Sequence, residues 1–317
     1  MVVQSASTNG APYYDRTART WVLSRYADVL AALREPRLCL TGHAEAQPER
    51  SQFKELAVAC MPRMKPLAER MLRDLPLDRP VDLVGEFAEP WCLELAVLVC
   101  GVDSGQKHRL FDLARAISAA AAEPRDQAMG ERARDAQAQM GRFLQPAIVP
   151  MPVPTFVALS QTLPCLLANA WLALFEHPGE MARLRSGQTP VPNAIEELLR
   201  YAKIPRKVSR RVTADVELGG AKLVEGDVVR LMIALANRDG AHFPDPDRLD
   251  FSRNAGGQLS LGAGAHSCVG GPLIRMAAAM ATSAFLQHFG AAQLAGPVEW
   301  RGGAGFRSPA RLFISNH

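Results

Sequence analysis

A mainly α-helical fold with small β-sheets is what this chain of 317 residues predicts. Three observations carry the prediction. Apolar residues recur at helical spacing through most of the sequence, alternating runs are few and short, and no segment repeats. Hydrophobic residues make up 48% and charged residues 21%, the balance of a globular protein able to bury a large core, here expected as one domain over 1–317. A formal charge of +4 is too small to argue for nucleic acid. No apolar run reaches the roughly 20 residues of a membrane span, and the first residues, Met1-Val2-Val3-Gln4-Ser5, lack a charged-then-apolar signal pattern. The expected location is the cytoplasm, with no membrane partner.

In chain order, Trp21-Val22-Leu23 begins as a short strand. The chain then turns helical, with Asp28 early and Leu30 and Leu33 on one face. From Pro48 a second helix begins, and Arg50 and Lys54, four apart, share one face where both cations can meet one carboxylate. An ordinary solvated basic face is the alternative. Residues 65–118 read as amphipathic helices broken at Pro76, Pro80 and Pro90 and by a turn near Asp103-Ser104-Gly105. The Ala-, Arg- and Gln-rich stretch 119–142 is helical. Four prolines within 145–154 then preclude a continuous helix.

Residues 192–201 form another helix, in which Glu197 and Arg200 stand three apart on one face and can pair. Read alone, the pair is as well explained by a surface salt bridge of little worth. From Lys203 the chain enters a strand-and-turn region, with a short hairpin around Val216-Glu217-Leu218-Gly219-Gly220 and Lys203 and Arg210 solvated. His242 and His288 read as structural or surface residues.

Among six cysteines (39, 60, 92, 100, 165 and 268) no C-x-x-C and no zinc spacing occurs. Cys92 and Cys100 lie in an apolar stretch and read as core thiols. Cys268 differs. It sits among Gly262, Gly264, Gly270 and Gly271, just ahead of an Ala/Met/Leu-rich run with Pro272 in its first turn. Proline is tolerated there because the first helical N–H groups have no intrahelical partner. The loop thus delivers a sulfur to a helix start, whose positive end favours a thiolate. A metal ligand, a buried structural cysteine and a catalytic thiol all remain open on these residues alone.

The stretch Leu261-Gly262-x-Gly264-x-His266-x-Cys268-x-Gly270 resembles the haem-binding signature of the bacterial cytochromes P450. Glu197-Leu198-Leu199-Arg200 resembles that family's ExxR. Ala236-Asn237-Arg238-Asp239 and Phe243-Pro244-Asp245-Pro246-Asp247-Arg248 resemble its Asn-Arg-Asp segment and Pro-rich meander. The similarity is close from Trp171 to the C-terminus and traceable from Trp21.

The resemblance implies a cytochrome P450 fold shortened in its B–C and F–G/H regions, where relatives roof and lid the substrate pocket. It implies haem b with Cys268 as iron ligand, Gly262 and Gly270 in the ligand loop, and Leu261 in place of a shielding phenylalanine. His266, Arg211 and the pair Arg50 and Lys54 stand where relatives hold haem propionates. Glu197, Arg200 and Arg248 match a structural triad. Residues 155–178 resemble the long helix crossing the haem, and its oxygen-activation pattern falls on Ala158-Leu159-Ser160-Gln161-Thr162. The threonine is present, whereas the glycine is Leu159 and the acid Gln161. Pro164 should break or kink this helix.

Three functions follow from the resemblance. The first is a monooxygenase acting on a small or carrier-bound metabolite with electrons from a ferredoxin. The second is a peroxide-driven or non-oxygenating enzyme, such as a dehydratase or isomerase. The third is a haem-bearing scaffold. The shortened intervals imply an exposed distal face, suited to a bulky substrate or to a protein partner that covers it.

Overall fold

The computed structural model describes residues 10–39, 50–76, 78–122, 126–144, 149, 152–264, 267–302 and 306–316. It divides into two compact units, Met1–Gln47 with Glu196–Cys268, and Pro48–Ile195 with Val269–His317.

The first unit is built on a five-stranded sheet. Its order is Tyr13–Asp15, Thr20–Leu23, Val228–Leu231, Val208–Val212 and Leu38–Cys39. Only the second and third of these run parallel, Trp21 opposite Val229 and Leu23 opposite Leu231. The strand-then-helix reading from Trp21 holds. The helix Tyr26–Arg34 follows directly, and Val29, Ala32 and Leu33 are buried in an apolar cluster with Leu23, Val229 and Leu231. Strands Val216–Leu218 and Ala221–Leu223 form the expected hairpin. Its two-residue turn, Gly219-Gly220, has both φ angles positive (56° and 82°), the twist that tight hairpins require.

The helix Val191–Tyr201 ends in this unit and carries its central polar network. Arg200 is fully buried and Glu197 nearly so, at 0% and 1% exposure. Arg200 Nε and Nη2 donate to the two carboxylate oxygens of Glu197, each at 2.7 Å. Its remaining N–H groups donate to the carbonyls of Asn237 (2.9 Å), Pro246 (2.7 Å) and Arg248 (3.0 Å). A guanidinium has five N–H donors, and here all are used. Glu197 further accepts from the Asp250 N–H at 3.0 Å and from Arg253 Nε at 3.2 Å. The third charged member is therefore Arg253, and the expectation for Arg248 is corrected. Arg248 contributes only its carbonyl here, and its side chain is exposed. The network binds the helix to the loops on either side of Pro246, so those loops cannot shift independently.

The second unit is helical, with a three-stranded sheet and a two-stranded sheet at its C-terminal end. Helix Arg50–Arg73 buries Phe53, Ala57, Cys60, Met64, Ala68 and Leu72, three or four residues apart, and runs through Pro62 and Pro66. It packs against helix Gly271–His288. Helix Glu89–Cys100 buries Trp91, whose Nε1 donates to the Met64 carbonyl at 3.3 Å. Trp171 in turn donates to Thr282 Oγ1 at 3.1 Å and stacks near Phe87 and Phe285.

Helices Lys107–Ala122 and Gln127–Phe143 pack on each other. Both fall in the stretch that the sequence reading took as helical. The interval 40–49, on which one expected shortening falls, lies outside the described residues except for the backbone of 50 onward. One further expectation is corrected: residues Pro152–Glu176 are helical, long and apolar enough to meet the length criterion for a membrane span. About two thirds of that segment is buried within the protein, the pattern of a core helix.

Removing Glu197 would strand the buried guanidinium, a loss of about 3–5 kcal/mol. Chemical denaturation should therefore show Glu197→Ala severely destabilised. Arg253→Ala should be clearly destabilised, and Arg248→Ala should lie within about 0.5 kcal/mol of the parent, as surface changes do. A larger loss for Arg248→Ala than for Arg253→Ala would contradict the assignment.

Candidate cofactor-binding site

Residues 258–264 and 267–268 belong to a loop whose backbone is tied by several hydrogen bonds. Leu259 N–H donates to Asn237 Oδ1 at 2.7 Å, Ser260 Oγ to the Leu199 carbonyl at 2.8 Å, and Asn237 Nδ2 to Ser260 Oγ at 2.9 Å. Asn237 also supplies one of the carbonyls that hold Arg200, so the loop is anchored on the buried network. Cys268 N–H donates to the Leu261 carbonyl at 2.7 Å and closes the turn. Ser267 donates from both its N–H and its hydroxyl to the Gly264 carbonyl. Gly264 has φ of 69°, and a Cβ there would lie 2.8 Å from the Leu33 carbonyl oxygen and 2.9 Å from Arg34 Cα. Only glycine fits, because the loop lies directly on the end of helix Tyr26–Arg34.

Cys268 emerges from this loop exposed, two residues before the Gly270 cap of helix Gly271–His288, with Pro272 in the first turn as expected. Three other cysteines differ in kind. Cys60, Cys92 and Cys100 are buried, and burial raises each thiol's pKa, that of Cys100 to about 12. They are inert core thiols.

Beside Cys268 lies a cleft of about 170 Å³, walled by Leu33, Val208, Ile233, Leu259 and Leu261 and edged by Gly262. Arg210 also lines it. Here the sequence reading is corrected by one residue. Along strand Val208–Val212, burial alternates so that Arg210 and Val212 point inward and Ser209 and Arg211 outward. A shift of one position on a strand exchanges faces. Arg211 is exposed and donates to the Gly226 carbonyl at 3.3 Å. Arg210, expected to be solvated, is 5% exposed. Burial lowers its pKa from the ordinary arginine value, yet a guanidinium stays protonated. Among the described residues it meets only the Ser209 carbonyl, at 2.9 Å, and no carboxylate. A buried cation without a counter-charge is costly, and an anionic group on a ligand would relieve that cost.

The residues fit a flat, largely apolar macrocycle with acidic edges. The apolar walls suit its ring, Arg210 suits a carboxylate, and Cys268 offers a sulfur. The cleft's size suits one edge of such a group. Among the described residues no three His, Cys, Asp or Glu side chains gather as a metal cage. A metal at Cys268 would therefore bring its other ligands with it.

His266 lies outside the described residues, as does the side chain of Arg50. Lys54 is exposed on helix Arg50–Arg73.

In the second unit, the segment expected to carry Gln161 and Thr162 runs from helix Pro152–Val157 through a π turn, Ala158–Thr162, into helix Leu163–Glu176. Leu163 N–H donates to the Ala158 carbonyl, five residues back. The expected break at Pro164 takes this form. A wide turn places the residue that lacks an N–H at the start of the next α-helical segment, where none is needed. Ser160 is buried and donates to the Phe156 carbonyl at 2.8 Å. Cys165 Sγ lies 3.2 Å from the Gln161 carbonyl. Gln161 Nε2 is buried with no hydrogen-bond partner among the described residues. An unpartnered buried amide is rare and marks a place where a water or ligand belongs.

The family model for cytochrome P450 matches residues 189–296. The chain is 28% identical to the 6-deoxyerythronolide B hydroxylase of Saccharopolyspora erythraea, over 77% of this chain and 67% of that protein. It is 28% identical to the nocardicin C N-oxygenase of Nocardia uniformis, over 93% and 89%. The fold matches P450BioI, whose structure was solved with an acyl carrier protein ligated to hexadec-9Z-enoic acid. The TM-score is 0.83 at 21% identity, covering 96% of this chain and 94% of that one. The LnmA cytochrome P450 hydroxylase of Streptomyces atroolivaceus gives a TM-score of 0.75 at 26% identity, over 93% and 90%.

If Arg210 meets the anionic edge of haem, Arg210→Ala should lower haem affinity about tenfold, the worth of one charge-assisted contact. Arg211→Ala should leave it at the parent value. Titration of the apoprotein with haem, read by absorbance, checks both, and equal losses in the two variants would contradict the register.

Proposed function

We propose that the chain is a divergent cytochrome P450 of the bacterial type and a haem-thiolate monooxygenase of small or carrier-bound organic metabolites. The observation that carries the reading is the pairing, in one cleft, of the exposed Cys268 sulfur with a buried Arg210 that meets no carboxylate among the described residues, the Cys39 thiol being its one electrostatic partner there.

In this proposal Cys268 would hold the haem iron through its sulfur. Held by such a sulfur, the haem supplies oxidising chemistry toward dioxygen or peroxide that no side chain has. The protein's own part is positional. The loop fixes the sulfur through the Cys268 N–H and the Gly264 turn, and backbone N–H groups at the helix start favour the thiolate. Leu261 covers the sulfur with an apolar side chain, and Arg210 orients the ring through a carboxylate. Glu197, Arg200 and Arg253 keep the loop's anchors in place. His266 and Lys54 remain proposed as further carboxylate partners on the resemblance alone, as does Arg50.

Thr162 and Gln161 are the proposed proton-handling residues. A threonine hydroxyl can donate a hydrogen bond but must be resupplied. A carboxyl can gain and lose protons near neutral pH when its pKa is tuned, whereas the Gln161 amide cannot. The reductive reaction, fed by a ferredoxin-type protein, is therefore expected to be leaky. Hydrogen peroxide already carries two electrons and both protons, so it places less demand on this relay. The buried, unpartnered Gln161 amide thus favours a second reading, a peroxide-driven enzyme. A non-oxygenating role or a haem-bearing scaffold is the further alternative. Carrier-bound substrates are retained because one fold relative was solved with an acyl carrier protein.

Reduced protein with carbon monoxide should show the strongly red-shifted Soret band of a thiolate complex, and Cys268→Ala should lose it. Persistence of that band in the variant would exclude Cys268 as ligand.

Peroxide is expected to support turnover at least as well as a ferredoxin system. Gln161→Glu should raise the fraction of NAD(P)H that ends in product, because a general acid–base group speeds its proton transfer by about 10²–10⁴-fold. Tight coupling in the parent protein, with no peroxide released, would show that another group performs the relay.

A further inference from the structure

Strands Glu299–Arg301 and Ser308–Arg311 form the two-stranded sheet of the second unit, with Arg301 opposite Ser308. The later strand packs against helix Leu163–Glu176. From this sheet Arg301 reaches the start of that helix. Its Nη1 donates to the Glu89 carboxylate, and its Nη2 meets Cys165 Sγ at 3.9 Å. The thiol in turn donates to the Gln161 carbonyl at 3.2 Å, four residues back and within the π turn. The backbone of Cys165 is held from the same sheet. Asn169 Nδ2 donates both to the Cys165 carbonyl at 2.8 Å and to the Arg307 carbonyl at 3.1 Å.

Two features give these contacts a role beyond packing. Pro164 has no N–H to offer the carbonyls before it, so the turn carrying Gln161 and Thr162 has fewer backbone bonds than a regular helix. Side-chain bonds at the next residue therefore decide more of its geometry. The second feature is electrostatic. The Arg301 side chain is 38% exposed and that of Glu89 25%, so the pair is partly shielded from water beside the sulfur. A thiol that accepts from a guanidinium is polarised, which strengthens the bond it donates. Glu89, Arg301 and Cys165 thus form one chain of hydrogen bonds that ends on the backbone of the turn.

We infer that Arg301, acting through Cys165, is a positioning residue that fixes the π turn and with it the direction of the Gln161 side chain. The inference rests on the proton-handling role proposed for Gln161 and Thr162, and it names what holds them in place. Arg301 reaches the reaction only through the turn. A bond that merely stabilised the fold would leave the local order of the turn, and the behaviour of residue 161, unchanged in protein that has folded.

The test uses the full-length haem protein and two readouts. Hydrogen exchange followed by mass spectrometry reports on residues 157–166 independently of activity. Arg301→Ala should speed exchange there about fivefold, the loss of one hydrogen bond. Arg301→Lys, which keeps a cation beside Glu89, should lie between that variant and the parent. Arg311→Ala removes a surface pair with Glu299 at 3.9 Å on the same sheet and should exchange like the parent. Thermal melting shows whether each variant is folded, and Cys165→Ala, a milder change, carries the same expectation if Arg301→Ala is not. The second readout is the gain in coupling of NAD(P)H to product brought by Gln161→Glu. Combined with Arg301→Ala, that gain should fall by the same factor, because the new carboxyl is no longer aimed. Unchanged exchange at 157–166 in Arg301→Ala, or equal acceleration in Arg311→Ala, would overturn the inference. So would a Gln161→Glu gain that survives intact in the double variant. If Gln161→Glu brings no gain in the parent, the proton-handling reading fails instead, and exchange alone decides whether Arg301 holds the turn.

Discussion

The site depends on one buried cation. Arg200 sits at zero exposure, and its charge is tolerable only because every N–H on its guanidinium has an acceptor. Two of those acceptors are the oxygens of Glu197, and the others are carbonyls of separate loop segments. The same demand that neutralises the charge therefore fixes the loops around it. Asn237 transmits the constraint: its carbonyl serves Arg200, and its side chain holds Leu259 and Ser260 at the root of the cysteine loop. A polar network of this kind contributes little net stability over a well-packed apolar core. Its contribution here is placement, because the loop has no regular secondary structure of its own.

The cleft shows the opposite electrostatic situation. Arg210 is nearly as buried as Glu197, yet no carboxylate meets it among the described residues. Arg200 is neutralised by the fold, and Arg210 awaits neutralisation from outside it. The contrast is between an arginine neutralised within the fold and one that meets no carboxylate among the described residues. It also explains why an apolar cleft is stable around a charge only when a ligand completes it.

The helix Leu163–Glu176 and the turn before it show how a departure from a family pattern is absorbed. A proline within a helix removes one hydrogen bond and crowds the carbonyl four residues back. Widening the preceding turn to five residues puts Pro164 at a helix start, where neither cost applies. The same wide turn carries Gln161, whose amide is left buried and unpartnered. The backbone adjustment is complete, but the side chain's hydrogen bond is not.

The sequence by itself determined the helical class, singled out Cys268 from the other cysteines by its glycines and helix start, and placed Glu197 and Arg200 where they can pair. Each of these rests on local features: hydrophobic period, glycine and proline around one sulfur, and two charges one turn apart. Tertiary structure alone decided which neighbours complete them. Arg248 and Arg253 are both arginines in the same Pro-rich loop, and only the path of that loop brings the second to Glu197. Arg210 and Arg211 are adjacent and identical, so composition cannot choose between them. Their strand's register chooses, because alternate residues face opposite sides of a sheet and only one side here is walled by apolar groups. The alternation Val208, Arg210, Val212 was visible, but the sheet's inner face is defined by partners distant in the chain. A helix carries its own spacing, whereas the direction of a strand residue is fixed by what packs on either side of the sheet.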